Sequence, residues 1–203
     1  MTESVSSFAS LGRMFEEYRP RLSAMLERRI DPSLARRVDP DDVLSEAFIV
    51  ARIRWPNAAA QMQTDSPGST PSSKQYAWLY RLVLDTLIEV YRRHTRHKRD
   101  LRLDLPWPDA SSIQLGLGLI NNGTSPSEAV MRTELQQHVR KVVSLLKEDD
   151  REILWMRHND QLSFHEIAIV LSITENAATV RFARALVRLR ALWRTLHNEG
   201  SLP

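Results

Sequence analysis

Leu162-Ser163-Phe164-His165-Glu166-Ile167-Ala168-Ile169-Val170-Leu171, Ser172-Ile173-Thr174 and Glu175-Asn176-Ala177-Ala178-Thr179-Val180-Arg181-Phe182-Ala183-Arg184-Ala185 run consecutively, and this stretch decides the fold. Ser163 and Glu166 stand three apart ahead of an apolar run, the spacing of a capping box in which each side chain satisfies a free backbone donor at a helix start. The pattern predicts a helix over Ser163 to Leu171, a turn at Ser172-Ile173-Thr174, and a second helix over Glu175 to His197. In the second helix Ala178, Phe182, Ala185, Leu189 and Leu192 recur on one face, able to pack on Ile167, Ala168 and Leu171. Asn176, Thr179, Val180, Ala183 and Arg184 then point outward, with Arg181 and Arg188 at the edges. Two helices held by a short turn, the second basic on its outer face, make a helix-turn-helix of the kind that enters the major groove of duplex DNA. An arginine on that face takes guanine bidentately or clamps a phosphate, and a base-specific pair is worth about 1–3 kcal/mol of discrimination.

Upstream of this motif the periodicity stays helical. Asp149 to His158 carries Ile153, Leu154 and Met156, and Ser127 to Leu146 carries Val130, Leu135, Val139, Val142, Val143 and Leu146. Leu101 to Pro126, with Pro106, Pro108 and Asn121-Asn122-Gly123, reads as a linker. Tyr76 to about Arg99 is a helix through Trp78, Leu79, Leu82, Val83, Leu87 and Val90, with Trp78 on the core face beside Leu82. Asn57 to Gln75 reads as a mobile loop around Ser66-Pro67-Gly68. Before it, Asp39 caps a helix whose first turn holds Pro40, Asp41 and Asp42 and which Trp55-Pro56 is expected to stop. A short helix over Ser33 to Arg37 and an amphipathic one over Phe15 to Arg29 complete the order. The expected architecture is all-α: a tail over 1–12, a helical domain over 13–100, a linker over 101–127 and a helix-turn-helix domain over 128–198.

Composition narrows the functional classes. Of 203 residues 42% are hydrophobic, enough for real cores, and the absence of cysteine excludes disulfides, thiolate metal sites and thiol nucleophiles. His165-Glu166 resembles the start of a zinc-protease motif, but Ile169 stands where the second histidine is required. No Gly-rich phosphate loop or nucleophile elbow occurs, so no enzyme, metal or cofactor is expected. The segment Met1 to Leu11 lacks a basic start and apolar core, and no run approaches the roughly 20 apolar residues that span a bilayer, so a cytoplasmic location without membrane insertion is expected. The net charge of +3 hides two basic stretches. Arg92 to Arg102 holds six bases against Asp100, and Glu175 to Arg194 holds five against Glu175, which leaves the remainder acidic and points to a polyanion on two local surfaces.

Asp150-Arg151-Glu152-Ile153-Leu154, Leu162-Ser163-Phe164-His165-Glu166-Ile167-Ala168, Arg181-Phe182-Ala183-Arg184-Ala185 and Leu189-Arg190 together resemble region four of the extracytoplasmic-function sigma factors, a group of the sigma-70 family. The resemblance implies recognition of the minus-35 promoter element and a contact with the flap of the polymerase beta subunit. Lys147, Ser172, Thr179 and Val180 depart from the family pattern, so no promoter sequence is carried over. Asp39-Pro40-Asp41-Asp42-Val43-Leu44-Ser45-Glu46-Ala47-Phe48 resembles the family's acidic region-two helix, which implies docking on the beta-prime clamp helices through Asp42, Ser45, Glu46 and Ile49. Ala77-Trp78-Leu79-Tyr80-Arg81-Leu82 resembles the promoter-melting and minus-10 helix, which implies DNA contact by Arg81, Asp85, Glu89, Arg92, Arg93 and Arg96. For the helix-turn-helix the implied contacts are Asn176, Thr179, Val180, Arg181, Ala183, Arg184 and Arg188. Core RNA polymerase and promoter DNA are the implied partners, with an anti-sigma factor as a further one.

A one-component helix-turn-helix regulator, independent of core polymerase, is the alternative. It shares the C-terminal motif and leaves the acidic helix and the Trp78 to Arg93 helix without a role.

Overall fold

A computed structural model of the chain describes residues 2–30, 37–62, 71–94, 137 and 139–199. The expected helix at Ser33 to Arg37 (apart from Arg37, which lies in a turn), the linker over 101–127 and the start of the Ser127 helix lie outside the described residues. Among the described residues, those within 1–105 and 165–174 form one unit and those within 106–164 and 175–203 form a second.

In the first unit, α1 (Thr2–Arg29) buries Leu11, Phe15, Leu22, Met25 and Leu26 along one stripe. The segment 1–12, expected as a tail, is helical from Thr2, and fully buried Leu11 gives its last turn a core contact. α2 (Pro40–Met62) begins as expected: the Asp39 carboxylate accepts the Asp41 N–H at 2.8 Å, and the Asp39 carbonyl accepts the Val43 N–H at 3.2 Å. It does not stop at Trp55-Pro56. An interior proline removes a backbone donor and crowds the carbonyl four residues back, at a cost of about 3 kcal/mol. Here buried Trp55, tilted on Trp78 with ring centroids 5.7 Å apart, and buried Ala58 anchor the turns on either side, so the helix continues to Met62.

α3 (Pro71–His94) likewise starts before Tyr76, so both flanks of the expected 57–75 loop are helical; its centre, 63–70, lies outside the described residues. α3 packs on α2 and α1 through Tyr76, Leu79, Tyr80, Val83, Leu87 and Val90. Trp78 is half-buried, between the core and the surface. A charge is built into this core: Arg29 is 1% exposed and donates Nη2 to the Tyr80 hydroxyl at 2.6 Å, while the Tyr91 hydroxyl donates to the Arg29 carbonyl at 3.3 Å. Residues 165–174 belong to this unit through Arg21, whose guanidinium lies 3.7 Å from the Tyr76 ring centroid and 3.1 Å from the buried Glu166 carboxylate, and through Arg81, which donates to the Ser172 hydroxyl at 3.1 Å.

In the second unit a helical stretch over 139–144 buries Val139, Val142 and Val143. Lys147, in extended conformation, precedes α4 (Glu148–His158), whose first turn carries Glu148, Asp149 and Asp150 at the positive end of the helix dipole. α4 packs on α6 (Glu175–Glu199), with Ile153, Leu154, Trp155 and Met156 buried on the one and Ala178, Ala185 and Leu189 on the other. Between them in sequence, α5 (Phe164–Leu171) ends at Ser172, which takes φ 56°. The Ile173 N–H reaches the Ala168 carbonyl at 2.9 Å and the Ser172 N–H the Ile169 carbonyl at 3.2 Å, a Schellman closure that requires a left-handed residue where Ser172 stands. The fold class is all-α.

Candidate nucleic-acid interface

The turn at Ser172-Ile173-Thr174 hands the chain from α5 to α6, and Phe164, the first residue of α5, meets Phe182 edge to face with centroids 5.5 Å apart. α6 is sorted by its helical period. Ala178, Ala185 and Leu189 are fully buried, Phe182 and Leu192 are half-buried, and Trp193, absent from the expected inner face, is 9% exposed. Asn176, Thr179, Val180, Ala183 and Arg184 are exposed, as the spacing required. The Thr179 hydroxyl donates to the Glu175 carbonyl at 3.0 Å, which folds it against its own helix. Arg184, Arg190 and Arg194 extend the outer surface as cations.

The two edge arginines differ from Arg184. Arg181 lies 2.7 Å from Asp149, and Arg188 Nη1 donates to both oxygens of Asp150 at 2.6 and 2.7 Å. Both acids are in the first turn of α4. These partners were not legible in the spacing, because acids opening a helix carry a local explanation, the dipole, that hides a tertiary one.

On α2, Asp42, Glu46 and Ile49 share one face with Ile53, since steps of four and three residues return to the same side of a helix. Ile49 is 60% exposed and Ile53 76%, a pair of apolar side chains left in solvent one turn apart. Ile53 was not among the expected site residues, although its place four beyond Ile49 was there to be read. Ser45 is exposed and donates to the Asp41 carbonyl at 2.8 Å, and Asp41 itself pairs with Arg19 at 3.1 Å.

Arg81, Asp85, Glu89, Arg92 and Arg93 are all exposed on α3. Glu89 and Arg92 pair at 3.7 Å, and Arg93 pairs with Glu46 across the α2–α3 interface. Beside that pair is a groove of about 360 Å³ lined by Glu46, Val50, Arg54, Leu82, Asp85 and Arg92 among others. Arg96 lies outside the described residues. Among the described residues no cluster of three acidic or histidine side chains is placed to hold a metal ion, and no helix is long and apolar enough to cross a membrane.

Residues 136–189 match the family model for sigma-70, region 4, so the α4–α6 segment is that module. Across most of its length the chain is similar to the ECF RNA polymerase sigma factor SigW of Bacillus subtilis, 25% identical over 78% of this chain and 77% of that one. It is similar to the RNA polymerase sigma-H factor of Pseudomonas aeruginosa, 29% identical over 72% and 69% of the two chains. It is also 29% identical to the ECF RNA polymerase sigma-E factor of Escherichia coli, over 72% and 70%. The C-terminal part of the chain thus matches sigma-70 region 4, and most of its length is similar to RNA polymerase sigma factors, two of these three being of the ECF group.

Proposed function

We infer that this chain is an RNA polymerase sigma factor: it binds core RNA polymerase and directs it to promoters. The observation that carries the inference is the region 4 match over 136–189 on a helix whose inner face is buried and whose Asn176, Thr179, Val180, Ala183 and Arg184 face solvent. An exposed outer face bearing an arginine is what a groove-reading helix needs. We assign minus-35 recognition to this face and a region-two role to 13–100, with 101–127 joining them.

Within that assignment the stripe Asp42, Ser45, Glu46 and Ile49, lengthened by Ile53, docks on the polymerase clamp. Acids at its start suit basic partners, and two exposed isoleucines supply apolar area that water disfavours. Arg81, Arg92 and Arg93, with Arg96, track phosphates of the opened strand, and Asp85 and Glu89 belong to the same DNA-contacting stretch. Polymerase performs the chemistry, the cytoplasm is the site of action, and an anti-sigma factor competing for the same stripe is the remaining expected partner.

The stand-alone regulator is disfavoured by the α2 stripe, which a self-sufficient DNA binder does not need. The separating experiment is association with core polymerase. The double variant Asp42→Lys, Glu46→Lys should lose it by at least tenfold while circular dichroism stays helical; retained association would return the stripe to an ordinary surface.

A further inference from the structure

The two arginines at the edges of α6 are bonded to neighbouring acids of α4, and this bears on how the helix is aimed. Arg181 and Arg188 are seven residues apart, two turns, about 10 Å along the axis, and on the same flank. Their partners, Asp149 and Asp150, are consecutive in the first turn of α4. The pairs are unequal. The Asp149 side chain is 81% exposed, so its pair with Arg181 is held in water and worth little. The Asp150 side chain is 4% exposed, and both its oxygens accept from one nitrogen of Arg188, whose side chain is 52% exposed. A buried carboxylate left without a hydrogen-bond partner is costly, so this geometry is strongly specified.

The inner face of α6 is held by Phe182 against Phe164 and by Leu189 and Trp193, whereas Ala178 and Ala185 offer little shape to grip, so an ion pair on the flank adds to what sets the roll of the helix. A roll of the helix by about 60° would bring Val187 to the side that Arg184 faces. Ties on one flank, spaced two turns apart, oppose that motion.

We propose that Asp150 is a positioning residue for promoter recognition: acting through Arg188, it sets the roll of α6 and so which side chains meet the base edges, and Arg188 serves as this brace rather than as a phosphate contact. The proposal rests on the reading of α6 as the promoter-facing helix. It assigns no base and no promoter sequence.

The test uses the full chain assembled with core polymerase. The probe is the upstream duplex that the unaltered holoenzyme selects from a random-sequence pool, with a scrambled duplex as control. Because the chain has no cysteine, Val187→Cys, exposed on α6, accepts an iron chelate that cuts DNA beside it. In that background Asp150→Asn and Arg188→Gln should each weaken binding about tenfold and displace or broaden the cleavage pattern. The double variant should be no worse than either single, since both remove the same brace. Neither should lower the salt dependence of binding, whereas Arg184→Ala should weaken the selected duplex by about tenfold and narrow its preference over the scrambled one. Reduced cleavage at unchanged positions would mean that the pair only adds stability, which overturns the proposal. A slope lowered by about one in Arg188→Gln, persisting in the Asp150→Asn background, would make Arg188 a phosphate contact and overturn it as well. Arg184→Ala separates the premises: if it changes neither affinity nor preference, the reading of α6 itself fails. Should Asp150→Asn not fold, the pair Asp150→Leu, Arg188→Met removes the brace without leaving a buried charge, and the cleavage positions are read from that variant.

Discussion

Arg93 of α3 is paired with Glu46 of α2, which joins a residue proposed to track DNA to one proposed to dock on polymerase, within the same unit. The two side chains are 52% and 44% exposed, so the pair contributes about 0–1 kcal/mol to stability. Arg93→Ala should therefore leave the melting temperature within about 4 °C of the parent. If Arg93 tracks a strand phosphate in the open complex, the same variant should reduce promoter opening several-fold, read as permanganate reactivity of unpaired thymines. Unchanged opening would confine Arg93 to its partnership with Glu46.

Ile49 and Ile53 separate docking from folding in another way. Both are more than half exposed, so truncation to alanine removes little core area and should not lower thermal stability. If they are covered by polymerase, Ile49→Ala, Ile53→Ala should weaken core binding by about 1–3 kcal/mol, roughly 5- to 150-fold. Fluorescence anisotropy of a labelled chain titrated with core polymerase measures it, and an unchanged dissociation constant would remove both from the interface.

The buried Arg29 makes a prediction about stability alone. Tyr80→Phe deletes a 2.6 Å bond to a guanidinium that is 1% exposed, and a hydrogen bond to a charged group is worth about 1.5–3 kcal/mol. Thermal unfolding of the first unit should fall by about 10 °C. A change under about 2 °C would show that other contacts of Arg29 suffice.

Much of the fold was written in the periodicity. The inner and outer faces of α6 follow from Ala178, Ala185 and Leu189 recurring in step, and Asp39 capping α2 follows from a carboxylate placed before Pro40. What could not be read locally came from tertiary contact. Pro56 looks like a helix end until Trp55 is seen on Trp78, and 1–12 looks like a tail until buried Leu11 is seen in the core. Of the candidate site, Arg184 and its neighbours were legible because exposure follows from the helical period. The partners of Arg181 and Arg188 were not, since ion pairs between α4 and α6 depend on how two helices cross.

Ser172 was legible as a departure from a common glycine, and its φ of 56° gives that departure an energy. A left-handed residue with a side chain costs about 1–2 kcal/mol, partly offset by the greater freedom of glycine in the unfolded chain. Ser172→Gly should stabilise the protein by about 0.5 kcal/mol, and Ser172→Val should destabilise it by more than about 1 kcal/mol. Denaturant titration of the full chain measures both, and a less stable glycine variant would mean that the Arg81 bond to Ser172 outweighs the backbone strain.

A sigma factor makes core polymerase start transcription at chosen sites, and run-off transcription on a genomic fragment library with purified core polymerase and purified chain measures this. Transcripts should arise from discrete start sites only when the chain is present, be lost in Asp42→Lys, Glu46→Lys and be weakened in Arg184→Ala. Tight binding of the chain alone to duplex DNA, with no initiation above that of core polymerase, would contradict a sigma-factor role.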